Sequence, residues 1–409
     1  MRFLYSVQRY GEEIVGGSET ACRQFAENLV DRGHDVTVVT SCALSYVDWA
    51  DHFDPGESVL NGVKVVRLPV LQARDPDRFA KLSEQILIDL REAGYADQIR
   101  WMREMGPMLR LHDQTLRRCA TNADVAVFMT YLYPTTVFGV PSVRDLLPTV
   151  LQPTAHDEPY ALLPIYRALF QWVDGLLFLT DEEQNVARRV FHSRRGGTVT
   201  GIGMDTQQKY GDARTFRDNH GLGDDPYILY LGRIDVYKGV SELMRYFIEY
   251  KGRNPSNLRL VLAGEQVMPL PDVEDIRFVG FLDERSKIDA IAGSSLLVQS
   301  SPFESFSMVL CESWLQRRPV LVQGRSEVMS GQCMRSGGGI PYRGFAEFEV
   351  ALDRLLGDPG LSAELGENGY DFVMSTCSWE AVMSRYMDEI DSAVEQFSRR
   401  KALGLTSLR

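Results

Sequence analysis

The chain has 409 residues, 44% of them hydrophobic and 24% charged, which suits a globular protein with two cores and excludes a disordered chain. Its net charge of −12 excludes a general nucleic-acid binder, because neutralising phosphates needs an excess of Lys and Arg. The six cysteines are scattered without a C-x-x-C, which argues against a zinc site and for reduced thiols in a cytoplasmic protein. Neither a signal peptide nor a run long enough to span a membrane is visible, so the expected location is cytoplasmic, with peripheral contact to the inner face of a membrane kept open.

In chain order, FLYSVQRY reads as a short apolar strand, GGSE as a glycine loop, and residues 18–32 as a helix whose apolar positions Cys22, Phe25, Ala26, Leu29 and Val30 recur at helical spacing. VTVVT and VKVVRLPV read as strands two and three. Residues 78–118 read as long and helical. ADVAVFM, PTVLQPTAHD and VDGLLFLT are further strands, the last followed by a helix over EEQNVARRVF. After a boundary near residues 196–210 the pattern restarts. DPYILYLGR, LRLVLAGE, IRFVGFL, LLVQSS and PVLVQG are strands, alternating with helices over VSELMRYFIEY, KIDAIAGSS and residues 305–316. Alternating strands and helices predict an α/β protein built from two doubly wound, Rossmann-like domains facing across a cleft. Residues 1–200 form the first and 205–377 the second, and a helix over about 378–397 ends the chain.

Four motifs can carry chemistry. GGSE places Gly16 and Gly17 between a strand and a helix N-terminus, where free N–H groups suit an anion, although an ordinary tight turn reads equally well. It is not G-x-G-x-x-G, which counts against a dinucleotide dehydrogenase. HDEPY places His156 at a strand's carboxyl end, where an imidazole can donate to a sugar or phosphate oxygen or move a proton. LGRIDVYKG places Arg233 and Lys238 at another such end, as a fork and a point charge suited to a diphosphate; the bland alternative is a solvated pair. SPFESFSMVLCESWLQRRPVLV carries Glu304 and Glu312 eight positions apart. On a helix over 305–316 they would stand ~12 Å apart along the axis, near the span from a ribose across a diphosphate to its sugar. The helix N-terminus would then face the diphosphate.

The ordered set GGSE, HD, LGRIDVYKG and E-x7-E resembles the retaining glycosyltransferases of the GT-B fold, family 4 (glycosyl transferases group 1), across essentially the whole chain. One departure is Ile202-Gly203-Met204-Asp205, where that family often has Asn-Gly-Val-Asp. The resemblance implies catalytic roles for His156, Glu304, Arg233 and Lys238. His156 would contact the sugar or the developing charge, Glu304 would hold sugar hydroxyls, and the two cations would neutralise the leaving diphosphate. For the donor it implies Gly16 and Gly17 near the phosphates, Gly280, Phe281 and Leu282 by the nucleobase, backbone at Phe306 and Ser307 on phosphate or sugar, and Glu312 on the ribose. The tail helix after Trp379 would pack on the first domain. No metal and no cofactor beyond a UDP-, GDP-, ADP- or TDP-sugar is implied, in keeping with the lack of a D-x-D near a strand end. The expected partners are that donor and a small-molecule, glycan or lipid-linked acceptor. Rival expectations are a nucleotide-sugar epimerase or phosphorylase on the same scaffold, and a non-catalytic sugar-nucleotide-binding subunit. The stretch from Gln98 to Arg118, with Trp101, Met102, Met105 and five arginines, reads either as a core-facing helix pair or as a membrane-surface helix.

Overall fold

The computed structural model describes residues 1–405 apart from 15, 89, 91–92, 194–195 and 208. The chain divides into two units, Met1–Gly201 with Met383–Arg409, and Ile202–Val382.

The first unit holds one sheet of eight strands: β1 (Arg2–Ser6), β2 (Asp35–Ser41), β3 (Gly56–Leu60), β4 (Val63–Leu68), β5 (Val125–Met129), β6 (Thr149–Gln152), β7 (Gly175–Phe178) and β8 (Thr198–Val199). Their order is β3-β4-β2-β1-β5-β6-β7-β8, parallel except for the hairpin of β3 with β4. That antiparallel edge strand was not expected: its Glu57, Ser58 and Val59 are exposed, so it lacks the buried apolar run that marks a central strand. The helices are α1 (Gly17–Asp31), α2 (Pro76–Ile88), α3 (Tyr95–Met105), α4 (His112–Ala120), α5 (Pro134–Val137), α6 (Gly139–Val143), α7 (Pro164–Trp172) and α8 (Asp181–Arg189). The expected long helical stretch over 78–118 is therefore three helices. Gly106 and Pro107 follow α3 directly, and a proline ring and a positive-φ glycine both end a helix. Trp101, Met102 and Met105 lie in the core, so the apolar face of α3 is used for packing.

The second unit holds a six-stranded, wholly parallel sheet of β9 (Tyr227–Leu231), β10 (Arg259–Ala263), β11 (Ile276–Gly280), β12 (Leu296–Gln299), β13 (Val320–Gln323) and β14 (Gly339–Tyr342). Its helices are α9 (Ala213–Asn219), α10 (Val240–Arg253), α11 (Glu284–Gly293), α12 (Met308–Leu315), α13 (Glu327–Ser336), α14 (Phe345–Gly357) and α15 (Pro359–Thr376). The strand order β11-β10-β9-β12-β13-β14 reverses between β9 and β12, and the loops leaving those two strands flank the point where such sheets bind ligands. Tyr227–Leu231 and Leu296–Gln299 are buried throughout, as a central parallel strand requires.

The last helix, α16 (Trp379–Ala402), contributes its residues from Met383 onward to the first unit. There Glu389 accepts from the Leu176 N–H at 3.0 Å and the Thr198 hydroxyl at 2.6 Å. Arg400 pairs with Asp174 at 2.9 Å, both side chains under 10% exposed. A buried pair of this kind adds little net stability, because the cost of desolvating both charges offsets their attraction. In the second unit Gly203 lies against Trp379, whose ring a Cβ would meet at 2.1 Å. The Met204 N–H donates to the Cys377 carbonyl at 2.7 Å. No helix among the described residues is long and apolar enough to cross a membrane.

Candidate active site

In the second unit β9 leads into Gly232–Gly239. Asp235 organises this loop. Its Oδ1 accepts from the Tyr237 N–H at 2.9 Å, and its Oδ2 lies 3.0 Å from Arg233 Nε. The turn over Val236–Lys238 closes on Gly239 at φ 72°, where a Cβ would stand 2.2 Å from the Ser300 carbonyl oxygen. Only glycine combines that dihedral with that approach. The Ser300 hydroxyl donates to the Lys238 carbonyl at 2.9 Å, tying the β9 loop to the one leaving β12.

That tie brings two predicted residues together. Lys238 Nζ donates to Glu304 Oε1 at 2.7 Å across the point of strand reversal, with side chains 33% and 19% exposed. Residues that the sequence assigned to different parts of a donor, its diphosphate and its sugar, are thus each other's partner in the free protein. A half-exposed pair of this type contributes ~0.2–1 kcal/mol, so a stronger anion can displace it. Burial, and then the charges of Glu304 and Asp235, raise the pKa of the neighbouring Tyr230 phenol, keeping it neutral.

The expected helix over 305–316 is shorter. It runs over Met308–Leu315, and Glu304 lies in the loop ahead of it. Ser307, the residue before the first turn, is left-handed at φ 66° and gives no side-chain cap, which displaces the helix start to Met308. Glu312 therefore stands one turn into the helix, ~6 Å along its axis. Its Oε1 accepts from Lys287 of α11 at 2.8 Å, and its Oε2 is buried without a hydrogen-bond partner. Burial acts to lower the Lys287 pKa, but Glu312 and Glu284 outweigh it and the net direction is upward, so the ammonium stays charged. An unsatisfied buried carboxylate oxygen costs ~1–3 kcal/mol, which a donated hydroxyl regains. Phe306 and Ser307 are both buried. Gly280 ends β11 at φ 80°, where a Cβ would meet nothing within 4 Å, and Phe281, beside Leu282, is 64% exposed.

In the first unit Gly16 caps α1 and Gly17 opens it. A Cβ on Gly16 would meet Glu19 Oε2 at 2.5 Å, whereas one on Gly17 would meet nothing within 4 Å. Glu19 turns inward to a buried pair with Arg9 at 2.6 Å, and the Ser18 hydroxyl donates to its other oxygen at 2.7 Å. This pair was not foreseen, since ten residues separate its members and no periodicity links them. His156 follows β6; its Nδ1 lies 3.6 Å from Glu158 Oε1, which accepts from the Tyr131 hydroxyl at 2.6 Å. Gly16, Gly17 and His156 belong to the first unit, and the other predicted residues to the second. Among the described residues no group of three or more His, Cys, Asp or Glu is placed to hold a metal ion.

Residues 225–358, the stretch that carries Arg233, Lys238, Glu304 and Glu312, match the family model for glycosyl transferases group 1. The chain is a glycosyltransferase. Over 218 residues it is 28% identical to the alpha-D-kanosaminyltransferase of Streptomyces kanamyceticus, covering 47% of this chain and about half, 54%, of that enzyme. An uncharacterized glycosyltransferase of Methanocaldococcus jannaschii is 22% identical over 98% of this chain and 100% of its own length. Among solved structures, the Anabaena protein HepE in complex with UDP superposes with a TM-score of 0.70 at 14% identity, covering 96% of this glycosyltransferase and 100% of HepE. The sucrose-phosphate synthase of Thermosynechococcus elongatus gives 0.68 at 17% identity, covering 99% and 100%. Such likeness establishes the fold: two parallel-sheet units in the GT-B arrangement of elements.

Proposed function

We propose that this glycosyltransferase moves a sugar, with retention of configuration, from a nucleoside diphosphate sugar to an acceptor hydroxyl. The observation that carries the reading is the set of groups on the two loops at the strand reversal: Arg233 and Lys238 on one, Glu304 on the other, with the free Oε2 of Glu312 one turn into the helix that follows. Solved neighbours that hold UDP or UDP-glucose support the donor class.

Arg233 and Lys238 meet the diphosphate. As Lys238 turns to it, Glu304 is released to accept hydrogen bonds from the sugar hydroxyls, and Glu312 Oε2 accepts one from the ribose. Phe281 offers a face to the base. His156 contacts the sugar, and Gly17 leaves room beside a helix N-terminus. The bond from the anomeric carbon to the β-phosphate oxygen breaks with its electron pair going to the phosphate. The acceptor oxygen attacks from the same face and gives its proton to that phosphate oxygen. Two cations offset the developing charge, so the reading calls for no metal. The acceptor is a small molecule, a glycan or a lipid-linked sugar, and the reaction takes place in the cytoplasm or at the inner face of a membrane.

Calorimetric titration with UDP-, GDP-, ADP- and TDP-sugars tests the donor assignment. One of them binds and loses affinity when Lys238 is replaced by alanine; binding of none of the four sinks the assignment. A glycosyl-enzyme adduct trapped on a carboxylate would sink the same-face step.

A further inference from the structure

One buried carboxyl has no part in the chemistry above. Glu183 is fully buried in the first unit, at the third position of α8. Thr180-Asp181-Glu182-Glu183 has the spacing of a capping box, and the Thr180 hydroxyl accepts from the Glu183 N–H at 3.2 Å as such a box requires. The glutamate half is used differently. A capping-box glutamate reaches back to the N–H of the cap residue. Here Oε2 accepts from the Leu179 N–H at 2.6 Å, and Oε1 crosses to the Ala155 N–H at 2.7 Å. Ala155 is itself fully buried and immediately precedes His156. Thr154, on its other side, is left-handed at φ 50°, a conformation that a residue other than glycine holds only when its surroundings impose it. The far end of α8 grips the same segment, since Arg189 donates to Asp157 at 2.6 Å.

We infer that Glu183 is a positioning residue: its carboxyl fixes the Thr154–Ala155 backbone in its left-handed turn and thereby aims the His156 imidazole. The inference rests on the reading that His156 contacts the donor sugar. Burial pushes the carboxyl up to about 8, while the backbone N–H groups of Leu179, Ala155 and Thr154 pull it down. Both oxygens accept in this arrangement, and the hydroxyl oxygen of the protonated carboxyl still does so through a lone pair, as an amide NH2 cannot. An amide of the same shape therefore sets an NH2 against one of the two N–H donors.

The test uses the full chain and three variants. Glu183→Gln keeps the shape and loses one acceptor. Thr180→Ala loses the helix cap but leaves the carboxyl. His156→Gln assigns the imidazole resonance. In Glu183→Gln, amide exchange over residues 153–158 rises about tenfold or more, the effect of one lost hydrogen bond to a charged or buried acceptor, and the His156 imidazole signal moves. In Thr180→Ala both stay as in the wild type, and only residues 181–189 exchange faster. If Glu183→Gln does not fold, Glu183→Asp, which keeps two acceptor oxygens one methylene short, gives the same ranking in smaller measure. An unmoved His156 signal, with exchange changes confined to 181–189, overturns the role of Glu183. Wild-type turnover of His156→Ala, read separately by nucleoside diphosphate release, overturns the role of the imidazole itself.

Discussion

Glu312 offers the sharpest perturbation, because its two oxygens have different tasks. Oε1 is held by Lys287 at 2.8 Å and Oε2 is buried and open. Replacing the side chain by alanine removes the ribose acceptor and leaves the Lys287 ammonium without its main partner. A hydrogen bond to a charged group is worth ~1.5–3 kcal/mol, and each ~1.4 kcal/mol is tenfold in affinity. Glu312→Ala therefore weakens nucleoside diphosphate binding by about 10- to 100-fold. Glu312→Gln keeps a carbonyl oxygen for Lys287 and turns Oε2 into an NH2. A ribose hydroxyl can still accept from it, so the loss is nearer about fivefold, one neutral hydrogen bond in place of a charged one. Calorimetry with the free nucleoside diphosphate separates the three proteins without any need for an acceptor. Equal affinity of the wild type and Glu312→Ala would refute the assignment of the open oxygen to the ribose.

The loop pair yields a split result. Lys238→Ala weakens diphosphate binding by about 10-fold or more, whereas Glu304→Ala leaves it within about threefold and lowers turnover instead, because the weak Lys238–Glu304 pair is broken on binding in any case. Titration and steady-state kinetics on both variants check this, and a parallel loss of affinity in the two contradicts it. Gly239→Ala introduces a Cβ 2.2 Å from the Ser300 carbonyl at a left-handed dihedral, so the second unit loses ~2 kcal/mol or more and the diphosphate loop moves; thermal unfolding with and without nucleotide reads both. Glu183 predicts a pH dependence. Its folded pKa of about 8 lies above the ordinary 4.5, so its protonated form favours the fold; that contribution is full below about pH 4 and is lost as pH rises towards 8. From pH 6 to 8 the loss approaches ~2 kcal/mol, and Glu183→Gln lacks it. His112, pushed down to about 4 by burial, acts in the opposite sense, so the comparison of wild type with variant by denaturant titration isolates Glu183.

Much of the architecture was legible because it rests on long apolar runs. β9, β12 and β13 are buried at every position, and their spacing with α10 and α11 announced a second parallel sheet. Boundaries were less legible where one dihedral decides them. The left-handed Ser307 moved the start of α12 from the expected residue 305 to Met308, and no residue pattern signals a left-handed serine. The exposed edge strand β3 gave no signal, because alternation fades when neither face is buried. Four separate motifs supplied candidate site residues, yet contacts between motifs were invisible. Lys238 and Glu304 are 66 residues apart, Ala155 and Glu183 are 28 apart, and only the strand order places each pair together. The glycine of the linker is likewise intelligible only in three dimensions, where Trp379 leaves room for nothing larger than Gly203, while the replacement of the family's asparagine by Ile202 has no structural explanation.

The central claim is transfer from a nucleoside diphosphate sugar, and product analysis by NMR tests it most directly. The sugar nucleotide that binds is incubated with the wild type and with Lys238→Ala, with and without candidate acceptors. The account predicts release of the nucleoside diphosphate, formation of a glycoside with the donor's anomeric configuration, and loss of both in Lys238→Ala. A bound sugar nucleotide that is epimerised, or that never parts from its diphosphate under any acceptor, would contradict it.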